Sequence, residues 1–478
     1  MSKSIIASVM PEETRVALLE AGELMEVSVE RSESGHLVGN IYKGKVKNVL
    51  PGMQAAFVDI GRDKNAFLYM GDAGRQAACQ HLTIGQDVLV QIAKDAMGDK
   101  GPRATISLTL PGRYIVLMPT VDYIGISRRI EEEPERERLR QIAGKIRPAG
   151  MGVIVRTVAI GKGEEDLIKD MAYLANMWSI LSSRAKRSNA PALIYRDAEL
   201  VVRIVRDYLT EDVTEFVIDN QEAYNRVVDL LTHISPELAE CVRLYTPTGQ
   251  ESDIFSRFNL DAQLDSLRNR RVELACGGYL VIDHTEALTV IDVNTGKFVG
   301  KTNLSETVFQ TNLEAAAQIV RQLRLRDIGG IIIIDFIDMD KAEQRAAVLA
   351  VLELELKKDR TKSNVLGFTS LGLVEMTRKK ARQSINGMLY SQCPYCLGKG
   401  RIKSPETVVL DIKRDLRKLN KRSRPGGRLL IQVHPQVADL LTKQGELKRL
   451  EEETARSLTL EPVADLNPEI FSLLWKPD

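Results

Sequence analysis

The sequence predicts a mixed α/β chain of several domains, and three observations lead there. Its 478 residues exceed the usual span of one hydrophobic core, and 44% of them are hydrophobic, as in soluble globular proteins. Two short apolar runs, LTVIDVN at 288–294 and IIIIDF at 331–336, read as buried strands on either side of a helical segment. Residues 36–118 carry short strands broken by Gly and Pro, which suits a small barrel.

Taken in order, residues 1–35 read as alternating strands around a Glu20-Ala21-Gly22 turn. In the barrel region Phe57 lies in QAAFVD and Phe67 in NAFL, and from sequence alone barrel core is the simpler place for either ring. Residues 119–204 contain GVIVRT, an apolar strand that runs into Arg156 and Thr157; read alone, this is an arginine at the end of an exposed strand. A helix is expected from about Ser305 to Asp327, because Phe309, Leu313, Ala316, Val320 and Leu323 share one face. Asn303 and Glu306 resemble a capping box at its start, and Gly329-Gly330 can end it. Strand, helix and strand in this order predict a right-handed crossover joining parallel neighbours. Beyond residue 402, charged helices and a strand at 429–433 suggest a small terminal domain.

Asp292 and Asp335 each close one of the two apolar runs, at the carboxyl ends of strands where open α/β sheets bind ligands. Neighbouring strands lie about 5 Å apart, so the two carboxylates could share one ion, and hard oxygen ligands suit magnesium. The plainer reading, an aspartate that caps a helix or forms a turn, applies more readily to one such residue than to a pair with Asn294 beside it.

Cys393-Pro394-Tyr395-Cys396, followed by LGKG, has the spacing of a zinc knuckle with only half the ligands zinc takes in structural sites. Two subunits giving two thiolates each would complete a four-cysteine site on a two-fold axis. A redox C-x-x-C is the alternative, but it belongs at a strand-to-helix turn and this pair sits in a Gly-rich link. Five cysteines argue against a disulfide framework, and Cys79, Cys241 and Cys276 read as ordinary thiols. No signal peptide and no apolar run of membrane-spanning length is visible, so the expected location is cytoplasmic, with no transmembrane segment. A net charge of +1 announces no nucleic-acid partner, although basic residues cluster at Arg378, Lys379, Lys380 and Arg382 and between Lys413 and Arg424. Such runs read equally well as solvated helix faces.

The long stretches TVIDVNTGKFVG, TNLEAAAQIVRQLRLRDIGGIIIIDFIDMD and GLVEMTRKKAR resemble the catalytic region of the RNase E/G family of bacterial endoribonucleases. NIYKGKV, PGMQAAFVDIG, ISRRIE, GVIVRT and CPYCLGKG extend the resemblance over essentially the whole chain. The chain stops soon after the cysteine pair without a Pro/Arg-rich tail, so its details look closer to the G branch of that family.

The resemblance implies an RNase H-like structural subdomain from 1–35 with 205–270, an inserted OB-fold barrel at 36–118 and a 5′-monophosphate sensor at 119–204. It further implies a DNase I-like catalytic subdomain at 271–389, a zinc link at 390–401 and a small C-terminal α/β domain at 402–478. By the same token Asp292 and Asp335 would hold catalytic Mg2+ assisted by Asn294, and Phe57, Phe67, Lys94 and Lys100 would bind RNA. Arg156 and Thr157 would sense the 5′-phosphate, and Cys393 and Cys396 would share Zn2+ across a homodimer, with pairing of dimers left open. The implied activity is magnesium-dependent cutting of single-stranded RNA to 5′-phosphate and 3′-hydroxyl ends, in rRNA 5′-end maturation and mRNA decay. Two rivals stand beside it. Against a non-catalytic RNA scaffold speak the intact Asp292, Asn294 and Asp335; against a phosphoesterase for DNA or small molecules speak the barrel aromatics and Arg156-Thr157.

Overall fold

Glu13–Glu20 and Glu23–Arg31 form a hairpin closed by Ala21 and Gly22, both at positive φ (51° and 80°), a two-residue turn whose twist suits the strands it joins. The computed structural model describes residues 2–31, 37–70, 82–96, 100–247, 253–296, 304–380, 384–422 and 428–476. Asn303, Cys79, Arg382 and Arg424 lie outside the described residues. The chain forms two compact units, Met1–Met388 and Leu389–Asp478.

In the first unit, Lys3–Val9 extends the hairpin and pairs in parallel with Val213–Ile218, which carries Val242–Leu244 at the edge. Ile5, Ala7, Val16 and Leu18 of this sheet bury against Ile204 and Val205 of the helix Leu200–Asp207 and Val227 and Leu231 of the helix Gln221–Ile234. Five strands then close a barrel: Ile41–Leu50, Ala55–Asp59, Ala66–Tyr69, Arg103–Thr105 and Asp87–Lys94, the last returning to pair with the first. Closure leaves no open edge, and Val46, Ala56, Val58, Leu68, Val90, Ile92 and Ala104 fill the interior. The fold class is thus mixed α/β, with an OB-like closed barrel inside it.

Leu110–Pro111 and Ile115–Met118, within the stretch assigned to the barrel, leave it and pair with Ile124–Ile126 and Gly152–Val155 in a separate four-stranded sheet. What redirects the chain is Asp170 of the long helix Glu164–Arg187, whose carboxylate accepts the amides of Arg113, Tyr114 and Ile115 at 2.8–3.2 Å. Gly112 is required there, since a Cβ would stand 2.6 Å from that carboxylate. After the helix, Ala192–Tyr195 rejoins the barrel strand Ile41–Leu50.

A six-stranded sheet runs Arg271–Glu273, Tyr279–His284, Leu288–Asn294, Gly330–Asp335, Val374–Arg378, Ser363–Phe368. All its neighbours are antiparallel except Leu288–Asn294 and Gly330–Asp335, which are parallel as the crossover requires. The connecting helix spans Leu304–Leu325, within two residues of expectation. It ends earlier than the glycine pair, because Asp327 adopts a positive φ of 48° and Ile328 donates back to the Leu323 carbonyl at 3.0 Å. Ala316, Ile319, Val320 and Leu323 of this helix bury against Ile291, Val293, Ile332 and Ile334, with the helix Ala342–Leu356 beside them. Arg324, with a side chain only 3% exposed, bonds Glu20 at 2.7 Å and Glu26 at 2.9 Å and fastens this layer to the amino-terminal hairpin.

The second unit holds a three-stranded sheet of Ser457–Pro462, Arg428–Val433 and Ser472–Lys476 under the helices Pro405–Arg422 and Pro435–Thr442. No helix among the described residues is long and apolar enough to cross a membrane.

Candidate functional site

Strand alternation sends Ile291, Val293, Ile332 and Ile334 into the core and turns Asp292, Asn294 and Asp335 to the open face of the sheet. Parallel pairing sets Asp292 directly opposite Asp335. Asn294 donates from Nδ2 to Asp292 Oδ2 at 2.8 Å and fixes that carboxylate's orientation. Burial first, then the charges of Asp292 and Asp338, push the Asp335 carboxyl above its ordinary value. Two adjacent carboxylates whose like charges repel fit a hard divalent cation that keeps several waters, as magnesium does with one or two protein carboxylates. Among the described residues no group of three or more His, Cys, Asp or Glu side chains is placed to hold a metal.

Sequence reading missed two residues here. Asp338 adds negative charge beside Asp335. Asn312, wholly buried on the crossover helix, donates to the Ile337 carbonyl at 2.8 Å and accepts the Ile337 amide at 3.1 Å. That pair of bonds fixes the segment carrying both Asp335 and Asp338. A polar residue on a helix face facing the core was the available signal.

On the barrel, Phe57 and Phe67 lie directly opposite each other, half-buried, with ring centroids 5.8 Å apart and planes at 71°. Neither belongs to the barrel core, since their neighbours Ala56, Val58, Ala66 and Leu68 fill it. Phe67 pairs onward with Arg103, and Arg103 with the exposed Lys94, so rings and cations form one row across four strands. Arg103 was not singled out from sequence, because only the register brings it into this row. Lys100 is exposed nearby in the chain, before that strand.

Arg156 and Thr157 follow the strand Gly152–Val155. The Thr157 hydroxyl lies 2.9 Å from that of Ser127, and Arg156 donates to the Gly112 carbonyl at 2.7 Å and to Asp207 at 2.6 Å. The guanidinium is therefore oriented while remaining partly exposed.

In the second unit, Leu397 and Gly398 take positive φ (49° and 81°), and Leu397 and Lys399 donate to the Cys393 and Cys396 carbonyls at 2.8 Å. This tight turn brings amides of Cys396 and Tyr395 to the Cys393 sulfur, which lowers its pKa and favours the thiolate that zinc takes. The geometry fits half a zinc site. Burial instead pushes the Cys241 and Cys276 thiols up, as expected of ordinary cysteines.

Five members of the basic clusters are paired with carboxylates. Arg378 is buried against Asp359 at 2.7 Å and Asp327 at 2.8 Å. Lys413, Arg414, Arg417 and Lys418 pair with Glu446, Asp411, Glu453 and Asp415. They form a salt-bridged helix face.

Residues 109–381 match the model of the Ribonuclease E/G family. The chain is 43% identical over 456 residues to ribonuclease G of Escherichia coli K12, covering 92% of each. It is 42% identical over 427 residues to ribonuclease G of Haemophilus influenzae, covering 86% of each. It is 43% identical over 373 residues to ribonuclease E of Nostoc, covering 76% of this chain and 54% of that one.

Proposed function

We propose a function from one premise: the chain belongs to the ribonuclease E/G family and is an endoribonuclease. In our reading it cuts single-stranded RNA at Asp292 and Asp335, leaving 5′-phosphate and 3′-hydroxyl ends. The observation that carries this is the in-register pair of exposed carboxylates, with Asp338 adding further negative charge at Asp335. Asp292 and Asp335 would hold magnesium, which when bound supplies positive charge for the scissile phosphate and an activated water. Asn294 holds Asp292 in one orientation, and Asn312 holds the segment after Asp335, so the carboxylates meet the ion without rearranging.

The barrel row gives a second contact with the substrate. Phe57 and Phe67 stack on unpaired bases while Lys94, Lys100 and Arg103 face phosphates. Stacking contributes roughly 1–3 kcal/mol per base, so Phe57→Ala should weaken binding of a single-stranded RNA about 5- to 150-fold. Its melting temperature should hold, since the ring lies outside the barrel core. A large thermal loss with unchanged Kd would return Phe57 to a structural role.

Arg156 and Thr157 would form the third contact, with a 5′-terminal monophosphate, for which a planar guanidinium fork and a hydroxyl are suited donors. Roles in rRNA 5′-end maturation and mRNA decay in the cytoplasm, by a zinc-linked homodimer, complete the reading. A cleavage time course on AU-rich single-stranded RNA, with magnesium or with chelator, tests it. Cutting should need the metal and run faster on 5′-monophosphate than on 5′-triphosphate RNA, and Arg156→Ala should remove the difference. Folded, zinc-loaded protein that cuts neither RNA would leave a binding scaffold instead.

A further inference from the structure

Arg156 does not hold its place alone. Its guanidinium has five N–H donors, and among the described residues two are engaged, by Gly112 O at 2.7 Å and Asp207 Oδ1 at 2.6 Å. The Gly112 anchor is rigid, because Asp170 grips the amides of the next three residues. The Asp207 anchor comes from elsewhere, the last residue of the helix Leu200–Asp207, which packs in the core of the amino-terminal sheet. Asp207 is itself held on several sides. Arg206 donates to both its oxygens, at 3.2 and 3.1 Å, and Arg206 in turn lies 3.5 Å from Asp197. The Asp207 carbonyl accepts from Arg360, whose guanidinium lies 4.0 Å over the Tyr208 ring. Arg129 reaches the neighbouring Asp359 carbonyl at 2.9 Å. Burial alone would raise the Asp207 carboxyl, but Arg206 and then Arg156 outweigh it and keep it ionised.

We propose that Asp207 is a positioning residue of the 5′ sensor: with the Gly112 carbonyl it fixes the guanidinium of Arg156 so that its uncommitted donors meet a 5′-terminal monophosphate already aligned. This rests on the sensor reading of Arg156. An arginine side chain gives up rotamer freedom when it is fixed. Two anchors fix it before the RNA arrives, which is preorganisation. Lysine in place of Arg156 could not meet both anchors and keep a planar fork for the phosphate.

The test compares kcat/KM for matched single-stranded RNAs bearing 5′-monophosphate or 5′-hydroxyl, in the full-length protein. Their ratio cancels effects on chemistry common to both. The wild type should favour the monophosphate, and Arg156→Ala should bring the ratio near one. A wild type without preference, or Arg156→Ala that keeps it, would overturn the sensor reading and the proposal with it. With that control met, Asp207→Asn should lower the ratio roughly tenfold, and adding it to Arg156→Ala should lower it no further. An unchanged ratio would overturn the positioning role and leave the sensor standing. A raised ratio would make Asp207 a competing anion that masks Arg156, which also overturns it. Should Asp207→Asn melt below the assay temperature, Asp207→Glu carries the test, because it keeps the charge but displaces the carboxylate; it too must lower the ratio.

Discussion

Asp292→Asn should reduce cleavage about a thousandfold and leave the fold intact. Losing one of two anionic ligands forfeits several kcal/mol of charge stabilisation, and each 1.36 kcal/mol is a factor of ten in rate. The fold tolerates it because Asp292 is exposed and the bond it accepts from Asn294 can still be accepted by an amide oxygen. Removing a like charge opposite Asp335 also relieves repulsion, so the melting temperature should stay level or rise slightly. Cleavage time courses and thermal melts, with magnesium and with chelator, read both effects. Wild-type rates in this variant would remove Asp292 from the site.

Cys393→Ser should halve the assembly. If two half-sites share one ion, zinc analysis finds one zinc for every two chains. The substitution, or a strong chelator, should then lower the mass in solution to that of one 53.3 kDa chain. The turn itself should survive, since the bonds from Leu397 and Lys399 run to backbone carbonyls and a serine oxygen can still accept from the Tyr395 and Cys396 amides. One zinc for each chain, or a mass that zinc removal leaves unchanged, would overturn the shared site.

How far these sites could be read in advance depended on how local their physics is. Asp292 and Asp335 were legible because each ends an apolar run, and a crossover between such runs forces parallel pairing. The turn at Ala21-Gly22 and the helix over Leu304–Leu325 were legible for the same reason, since turn chemistry and periodicity are written within a few residues. Arg103, Asn312 and Asp207 were not. Register, helix-to-loop contact and packing between two cores give them their partners, and nothing adjacent in sequence announces it. Arg378 shows the opposite failure: it sits in a run of cations, yet the fold tucks it against Asp359 and Asp327. A charge run records which side chains are present and is silent on which of them turn inward.

The single parallel pair in an otherwise antiparallel sheet also bears on the order in which the molecule is made. Tyr279–His284 and Leu288–Asn294 meet across a short turn, so they can pair as soon as both have left the ribosome. Gly330–Asp335 can join only after the helix between has been synthesised and laid across the sheet, a closure that carries a larger entropic cost. The two aspartates therefore come within reach of one ion only when this layer is complete. If Asp292 and Asp335 hold the metal as proposed, a nascent or partly folded chain holds the carboxylates apart and lacks a competent centre, so cleavage waits on the assembly of this layer.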